Sequence, residues 1–198
     1  INGILGILNQ NYLNLTELTA SGRDALQQLA TTPAMYLGSC RYKLKDYRED
    51  PSDYEKIFEQ FDALNIKGFF YIGGNDSMDT VLKLSDYAAS IGSDIRIIGI
   101  PKTIDNDLMI TDHTPGFGSA AKYIASTLLE IAHDTIIYPV KSITIVEIMG
   151  RHAGWLAGAA ALAKLTGCGP DLIYLPEVDF NMEEFLADVS DIYAKNKN

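Results

Sequence analysis

Most of the residues able to do chemistry fall in four short stretches. Gly73-Gly74-Asn75-Asp76-Ser77 puts paired glycines before short polar side chains. Such glycines let backbone approach a ligand, and a helix starting there offers N–H groups and a positive dipole end to phosphate. Asp76 or Ser77 serving as a helix cap accounts for the same pattern. Pro101-Lys102-Thr103-Ile104-Asp105-Asn106-Asp107 sets one cation among carboxylates. Carboxylates there can act as a general base or hold Mg2+ through oxygen, and Lys102 can balance the charge of a polyphosphate. An acidic turn with a solvated lysine has the same composition. Gly150-Arg151-His152-Ala153-Gly154 is another glycine-flanked corner, in which Arg151 can grip a phosphate through two parallel hydrogen bonds. His152 reads as structural. Pro176-Glu177 is the fourth stretch. Gly38-Ser39-Cys40-Arg41 repeats the theme more weakly, and Arg41 taken alone reads as a surface residue.

Each of the four follows an apolar run. Lys67 to Ile72, Ile95 to Ile100, Ser142 to Met149 and Leu172 to Leu175 read as strands. Helical patterning covers Asp53 to Leu64, Met78 to Ile91, Ser119 to Ala132, Trp155 to Leu165 and Met182 to Tyr193. In the first fifty residues, Gly3 to Leu15 reads as a helix end plus a strand, and Ala25 to Leu29 as a helix before Pro33. Alternating strands and helices predict an α/β fold of parallel sheets with helices on both faces. In an open parallel sheet the carboxyl ends share one edge, where ligands bind. The four loops are therefore expected to converge on one cleft.

Composition narrows the partners. The formal net charge of −10 argues against nucleic acid or an anionic membrane surface. It does not argue against a phosphate substrate, which a few local cations can hold. No apolar run approaches the roughly 20 residues of a spanning helix, and Ile1 to Asn9 is too short and lacks the basic leader of a signal peptide. Cys40 and Cys168 suggest neither a disulfide framework nor a zinc site, so a reducing cytoplasm is the expected location. A chain that begins without Met and ends in Lys-Asn-Lys-Asn is expected to be a fragment.

In order and spacing, the 73–77, 101–107, 149–155 and 176–178 stretches together resemble the phosphofructokinase family, and the similarity runs from about Gly38 to Glu177. That resemblance implies two similar α/β lobes with the cleft between them, incomplete here: a phosphoryl-donor lobe at 1–115, lacking its Gly-rich loop, and a sugar-phosphate lobe at 116–198. It implies that Asp105 is the base taking the proton from the sugar 1-hydroxyl, with Thr103 also touching the sugar. Met149, Gly150 and Arg151 hold fructose 6-phosphate, and Glu177 binds sugar hydroxyls. Gly73, Gly74, Arg41 and Lys102 lie on the donor side, and Asp107 supports the metal and base region. Two positions speak against ATP as the donor. ATP-using members carry Gly where this chain has Asp76 and Lys102, and the pyrophosphate-using members share the pair found here. A carboxylate at 76 would crowd and repel the α-phosphate of ATP, while Lys102 can stabilise charge on pyrophosphate during transfer. Asp76, Lys102 and Asp105 are thus the expected catalytic set.

The family's usual metal-binding Asp is Asn75, whose single neutral oxygen weakens that contact with Mg2+. A basic residue expected before the 142–149 run is Ser142, with Lys141 beside it as a substitute. The function implied is phosphoryl transfer from pyrophosphate to fructose 6-phosphate, as part of a homo-oligomer. An ATP-dependent enzyme and a non-catalytic sugar-phosphate sensor are the alternatives.

Overall fold

The computed structural model describes residues 3–20, 24–32 and 35–196. The chain forms two compact units, Ile1–Pro101 and Lys102–Asn198.

The first unit is organised by aromatic packing. Helices α1 (Gly3–Leu8), α2 (Leu15–Ala20), α3 (Asp24–Thr31) and α4 (Ser52–Ala63) precede strand β1 (Gly68–Gly73), helix α5 (Asn75–Ser90) and strand β2 (Arg96–Pro101). In α4 the apolar residues Tyr54, Ile57, Phe58 and Phe61 recur at helical spacing and are all buried. Asp53 and Glu55 lie in its first turn, where the helix dipole favours negative charge. Asn65 then adopts φ 51°, and the Ile66 N–H donates back to the Phe61 carbonyl at 2.8 Å, so the helix closes and the chain turns into β1. Helix α5 buries Thr80, Leu84, Tyr87 and Ala88. Tyr87 meets Tyr47, Tyr54 and Phe58 with ring centroids 5.0–5.5 Å apart, and the Tyr54 hydroxyl donates to the Lys45 carbonyl at 2.6 Å. Ring pairs of this geometry add about 0.5–1.5 kcal/mol each beyond the area they bury.

Strands β1 and β2 pair in parallel, from Gly68 opposite Arg96 to Gly73 opposite Pro101. Phe69, Tyr71 and Ile97 pack against the core. The alternate residues Phe70, Ile72, Ile98 and Ile100 are exposed on the other face. Both strands run to the same edge, so Gly73 and Pro101 end side by side there.

The second unit contains α6 (Phe117–Ile137), α7 (Trp155–Ala159), a 3-10 turn (Ala160–Thr166) and α8 (Met182–Lys195). Gly116, with φ 88°, starts α6. The Asn181 side chain caps α8 by accepting from the N–H groups of Glu183 and Glu184. A small core joins Leu128, Ala160 and Ala163 to Ile124, Leu129, Ile148 and Ile173.

Several expected elements differ. Residues 142–149 and 172–175 form no strand and join no ladder among the described residues. Their composition suits strands; what they lack among the described residues is a hydrogen-bonded partner strand, and an unpaired segment is not a strand. The Trp155 to Leu165 helix is α-helical only to Ala159 and continues as 3-10, in a stretch of Ala and Gly with little side-chain bulk to fix the wider turn. Gly3 to Leu15 holds helix α1 and a turn with no strand, and a second helix starts at Leu15. The helix expected at Ala25 to Leu29 is α3; Pro33 lies outside the described residues.

Candidate active site

The turn after β1 is built for close approach. A Cβ at Gly73 would sit 2.0 Å from the Ser77 hydroxyl oxygen, so any larger residue forces that turn apart. Gly74 is the N-cap of α5 and no side chain caps the helix. The capping explanation for Asp76 and Ser77 therefore fails here. Asn75 and Asp76 are instead exposed in the first turn, and the Asp76 carbonyl accepts from the Thr80 hydroxyl at 2.9 Å.

Behind this turn lies a residue that sequence reasoning missed. Tyr71, two positions before Gly73, brings its hydroxyl among the Ile4 backbone, the Cys40 thiol and the Ser77 hydroxyl. Burial, reinforced by Cys40, pushes its pKa up. Tyr71 thereby links the 38–41 loop, which carries Arg41, to the 73–77 turn. Its inward position in a strand of alternating burial was the available signal. Beside it, Ser39, Cys40 and Arg41 line a hollow of about 280 Å3 with Leu5, Gly6, Asn9 and Asn11.

In the second unit, the 102–114 loop is held by its own side chains. The Thr103 hydroxyl accepts from the Asp105 N–H at 3.0 Å. Asn106 is buried at φ 58°, a left-handed conformation that Asn tolerates better than most residues. Its side-chain oxygen accepts from the Thr114 N–H at 2.8 Å, and its amide donates to the Asp112 carbonyl at 3.1 Å. Asn106 thus clamps both sides of the loop, with half-buried Asp105 before it and exposed Asp107 after it. An Asn flanked by two Asp residues was visible in the sequence; its clamping role was not.

The third and fourth stretches meet directly. Gly150 has φ 148°, and a Cβ there would lie 2.4 Å from the Ala153 carbonyl oxygen, so the Arg151 turn requires glycine. The buried Gly154 N–H donates to the Glu177 carboxylate at 2.6 Å. This bond gives a stability prediction. Glu177→Ala leaves the Gly154 N–H without its partner, at a cost of about 1–3 kcal/mol, or a Tm lower by about 2–12 °C for a chain of this size. Glu177→Gln keeps an accepting oxygen and stays close to the parent. Calorimetry of the three proteins decides it; equal Tm values for alanine and parent would show that the bond contributes nothing.

Met149, Arg151 and Glu177 present exposed side chains. Arg41 and Lys102 are also exposed, and none of Arg41, Lys102 and Arg151 forms an ion pair among the described residues. Lys141 differs: its ammonium donates to the Tyr193 carbonyl at 2.7 Å and lies over the Tyr193 ring. Gly73, Gly74, Asn75, Asp76 and Arg41 belong to the first unit, and Lys102, Thr103, Asp105, Asp107, Met149, Gly150, Arg151 and Glu177 to the second.

The sequence model described as Phosphofructokinase matches residues 1–198. The chain belongs to the phosphofructokinase family. It is 44% identical over 197 residues to a pyrophosphate–fructose 6-phosphate 1-phosphotransferase of Halomonas elongata, covering 98% of this chain and 46% of that protein. It is 48% identical over 194 residues to a protein of the same name from Xanthomonas campestris, covering 95% of this chain and 45% of that one. The crystal structure of a pyrophosphate-dependent phosphofructokinase from Marinobacter aquaeolei superposes with a TM-score of 0.76 at 42% identity, covering 98% of this chain and 47% of that one. This phosphofructokinase chain therefore has the family's α/β fold of parallel sheet and helices, and spans about half the length of these relatives. Among the described residues no helix is long and apolar enough to cross a membrane.

Proposed function

We propose that the enzyme carrying this segment transfers a phosphoryl group from pyrophosphate to the 1-hydroxyl of fructose 6-phosphate, reversibly, giving fructose 1,6-bisphosphate. The observation that carries this reading is Asp76: an exposed carboxylate on a glycine turn, free of any capping duty, in a chain more than 40% identical to proteins named for pyrophosphate use. Gly73, Gly74 and Arg41 receive the donor, and Lys102 stabilises charge on the phosphate in flight. Asp105 takes the proton from the sugar hydroxyl, with Thr103 beside it. Met149, Gly150 and Arg151 bind the sugar phosphate and Glu177 the sugar hydroxyls. The lobes are 1–115 for the donor and 116–198 for the sugar. A cytoplasmic homo-oligomer completes the proposal.

A divalent cation, Mg2+, is part of the reading. Among the described residues no three His, Cys, Asp or Glu side chains gather into a cage. Mg2+ suits such a sparse donor set, because it keeps waters and takes one or two protein oxygens plus substrate phosphates. Exposed Asn75 and Asp107 are the residues that would hold it. When bound, it would neutralise charge on the phosphates.

Donor competition tests the proposal: the complete enzyme turns over with pyrophosphate and not with ATP. Turnover with ATP alone would overturn the donor assignment. The 198-residue chain by itself is expected to show little or no turnover, since the relatives it matches are more than twice as long. Robust activity from the isolated chain, in a coupled assay for fructose 1,6-bisphosphate, would contradict this.

A further inference from the structure

The Tyr71 hydroxyl sits where three separate pieces of the first unit come together. Its ring stacks on Phe69 with centroids 5.7 Å apart, and both side chains pack against the core from β1. At the far end of the ring, the hydroxyl meets the Ile4 backbone in the first turn of α1, the Cys40 thiol and the Ser77 hydroxyl. Glycines mark how closely these pieces approach. A Cβ at Gly3 would lie 2.6 Å from the Cys40 sulfur and 3.1 Å from the Tyr71 hydroxyl oxygen, so thiol and hydroxyl press together on the start of α1. A Cβ at Gly73 would lie 2.0 Å from the Ser77 oxygen, so that hydroxyl rests on the backbone of the glycine turn. A phenolic oxygen can both donate and accept, which lets one group serve neighbours on different elements. Burial, reinforced by Cys40, pushes the Tyr71 pKa up, so the hydroxyl keeps the proton with which it donates.

We propose that Tyr71 is a positioning residue for the phosphoryl donor: its hydroxyl ties the loop that carries Arg41 to the glycine turn that opens α5. The inference rests on the reading above in which Arg41, Gly73 and Gly74 receive the donor. Arg41 follows Cys40 and lines the same hollow. Ser77 lies in the first turn of α5, directly after the turn formed by Gly73 and Gly74. Neither piece is fixed to the other by an ion pair or a ladder among the described residues. A donor that spans a guanidinium and a helix start binds best when their separation is set beforehand, because ordering them at the moment of binding costs affinity. Tyr71 sets it from within the strand, without touching the donor itself. The proposed sugar contacts belong to the second unit, so they do not depend on this tie.

The test is steady-state kinetics of the complete enzyme, with pyrophosphate varied at saturating fructose 6-phosphate and then the reverse. Tyr71→Phe keeps the ring and its stack on Phe69 and removes only the hydroxyl. Its KM for pyrophosphate is expected to rise about three- to tenfold, the usual net contribution of one hydrogen bond. Its kcat and its KM for fructose 6-phosphate stay within about twofold of the parent. Cys40→Ala removes one end of the tie without altering Tyr71 and gives a rise of the same kind. Cys40→Ser keeps an accepting oxygen and returns the KM to the parent value. Loss of packing support alone would shift kcat or both KM values together, and that outcome overturns the proposal. So does an unchanged pyrophosphate KM in Tyr71→Phe, or a Cys40→Ser variant no better than Cys40→Ala. Arg41→Ala separates this inference from the reading it rests on. If Arg41→Ala raises the donor KM and Tyr71→Phe does not, only the positioning role falls. If Arg41→Ala leaves the donor KM unchanged, Arg41 receives no donor and both fall. If the enzyme turns over with ATP instead, the same shifts read with ATP keep the positioning role while the donor assignment falls.

Discussion

Asp105→Ser in the complete enzyme is expected to lower kcat by about 10²–10⁴, the usual contribution of a positioned general base, with a much smaller change in KM for fructose 6-phosphate. The size of the effect follows from how the loop is held. The Asp105 N–H is tied to the Thr103 hydroxyl, and the next residue, Asn106, is buried and bonded to Asp112 and Thr114. The backbone that carries the Asp105 carboxylate is held in place before substrate arrives. A serine keeps the backbone bond and a polar side chain, so the loop persists and the proton acceptor is lost. Steady-state kinetics of the complete enzyme separates the two parameters. A kcat loss smaller than tenfold would mean that another group takes the proton. A rise in KM with kcat intact would make Asp105 a binding residue only.

The elements that could be read in the sequence are those whose pattern is local. In α4 and α5, buried residues recur at helical spacing, and β1 and β2 are short apolar runs that find each other as a parallel pair. The 142–149 run has the same β-branched composition, yet among the described residues it has no hydrogen-bonded partner, because pairing is a non-local property that composition does not specify. The Trp155 helix was misjudged for a different reason: small residues continue an α-helix or tighten into 3-10 at little cost. At the site, glycine and charge marked the loops, while the residues that brace them escaped notice. Asn106 is seen as a clamp only once its φ of 58° and its two bonds are known. Tyr71 is a core aromatic by pattern, and only its hydroxyl's neighbours connect it to the glycine turn.

If donor choice rests on the carboxylate of Asp76, as proposed, Asp76→Gly in the complete enzyme is expected to admit ATP while weakening pyrophosphate use. Asp76 lies in the first turn of α5, is exposed, and caps nothing. A negative side chain is favourable at a helix start, so its presence there costs the fold nothing. It matters to a ligand seated on the glycine turn. Pyrophosphate ends where the α-phosphate of ATP would begin, so a carboxylate at that point tolerates the short donor and repels the long one. Because Asp76 makes no side-chain cap, removing it should leave folding intact, and any kinetic change then reports on the donor. In the proposed reading Lys102 supplies the complementary half. Exposed and free of ion pairs among the described residues, it is available to meet developing negative charge. Losing one positioned charge-stabilising group typically costs about 10²–10³ in rate, so Lys102→Gly should reduce pyrophosphate turnover by that order without opening the site to ATP. The measurement is kcat/KM for both donors in both variants. If Asp76→Gly leaves ATP excluded and pyrophosphate use unchanged, the carboxylate has no part in donor choice, and the assignment to pyrophosphate loses its physical basis.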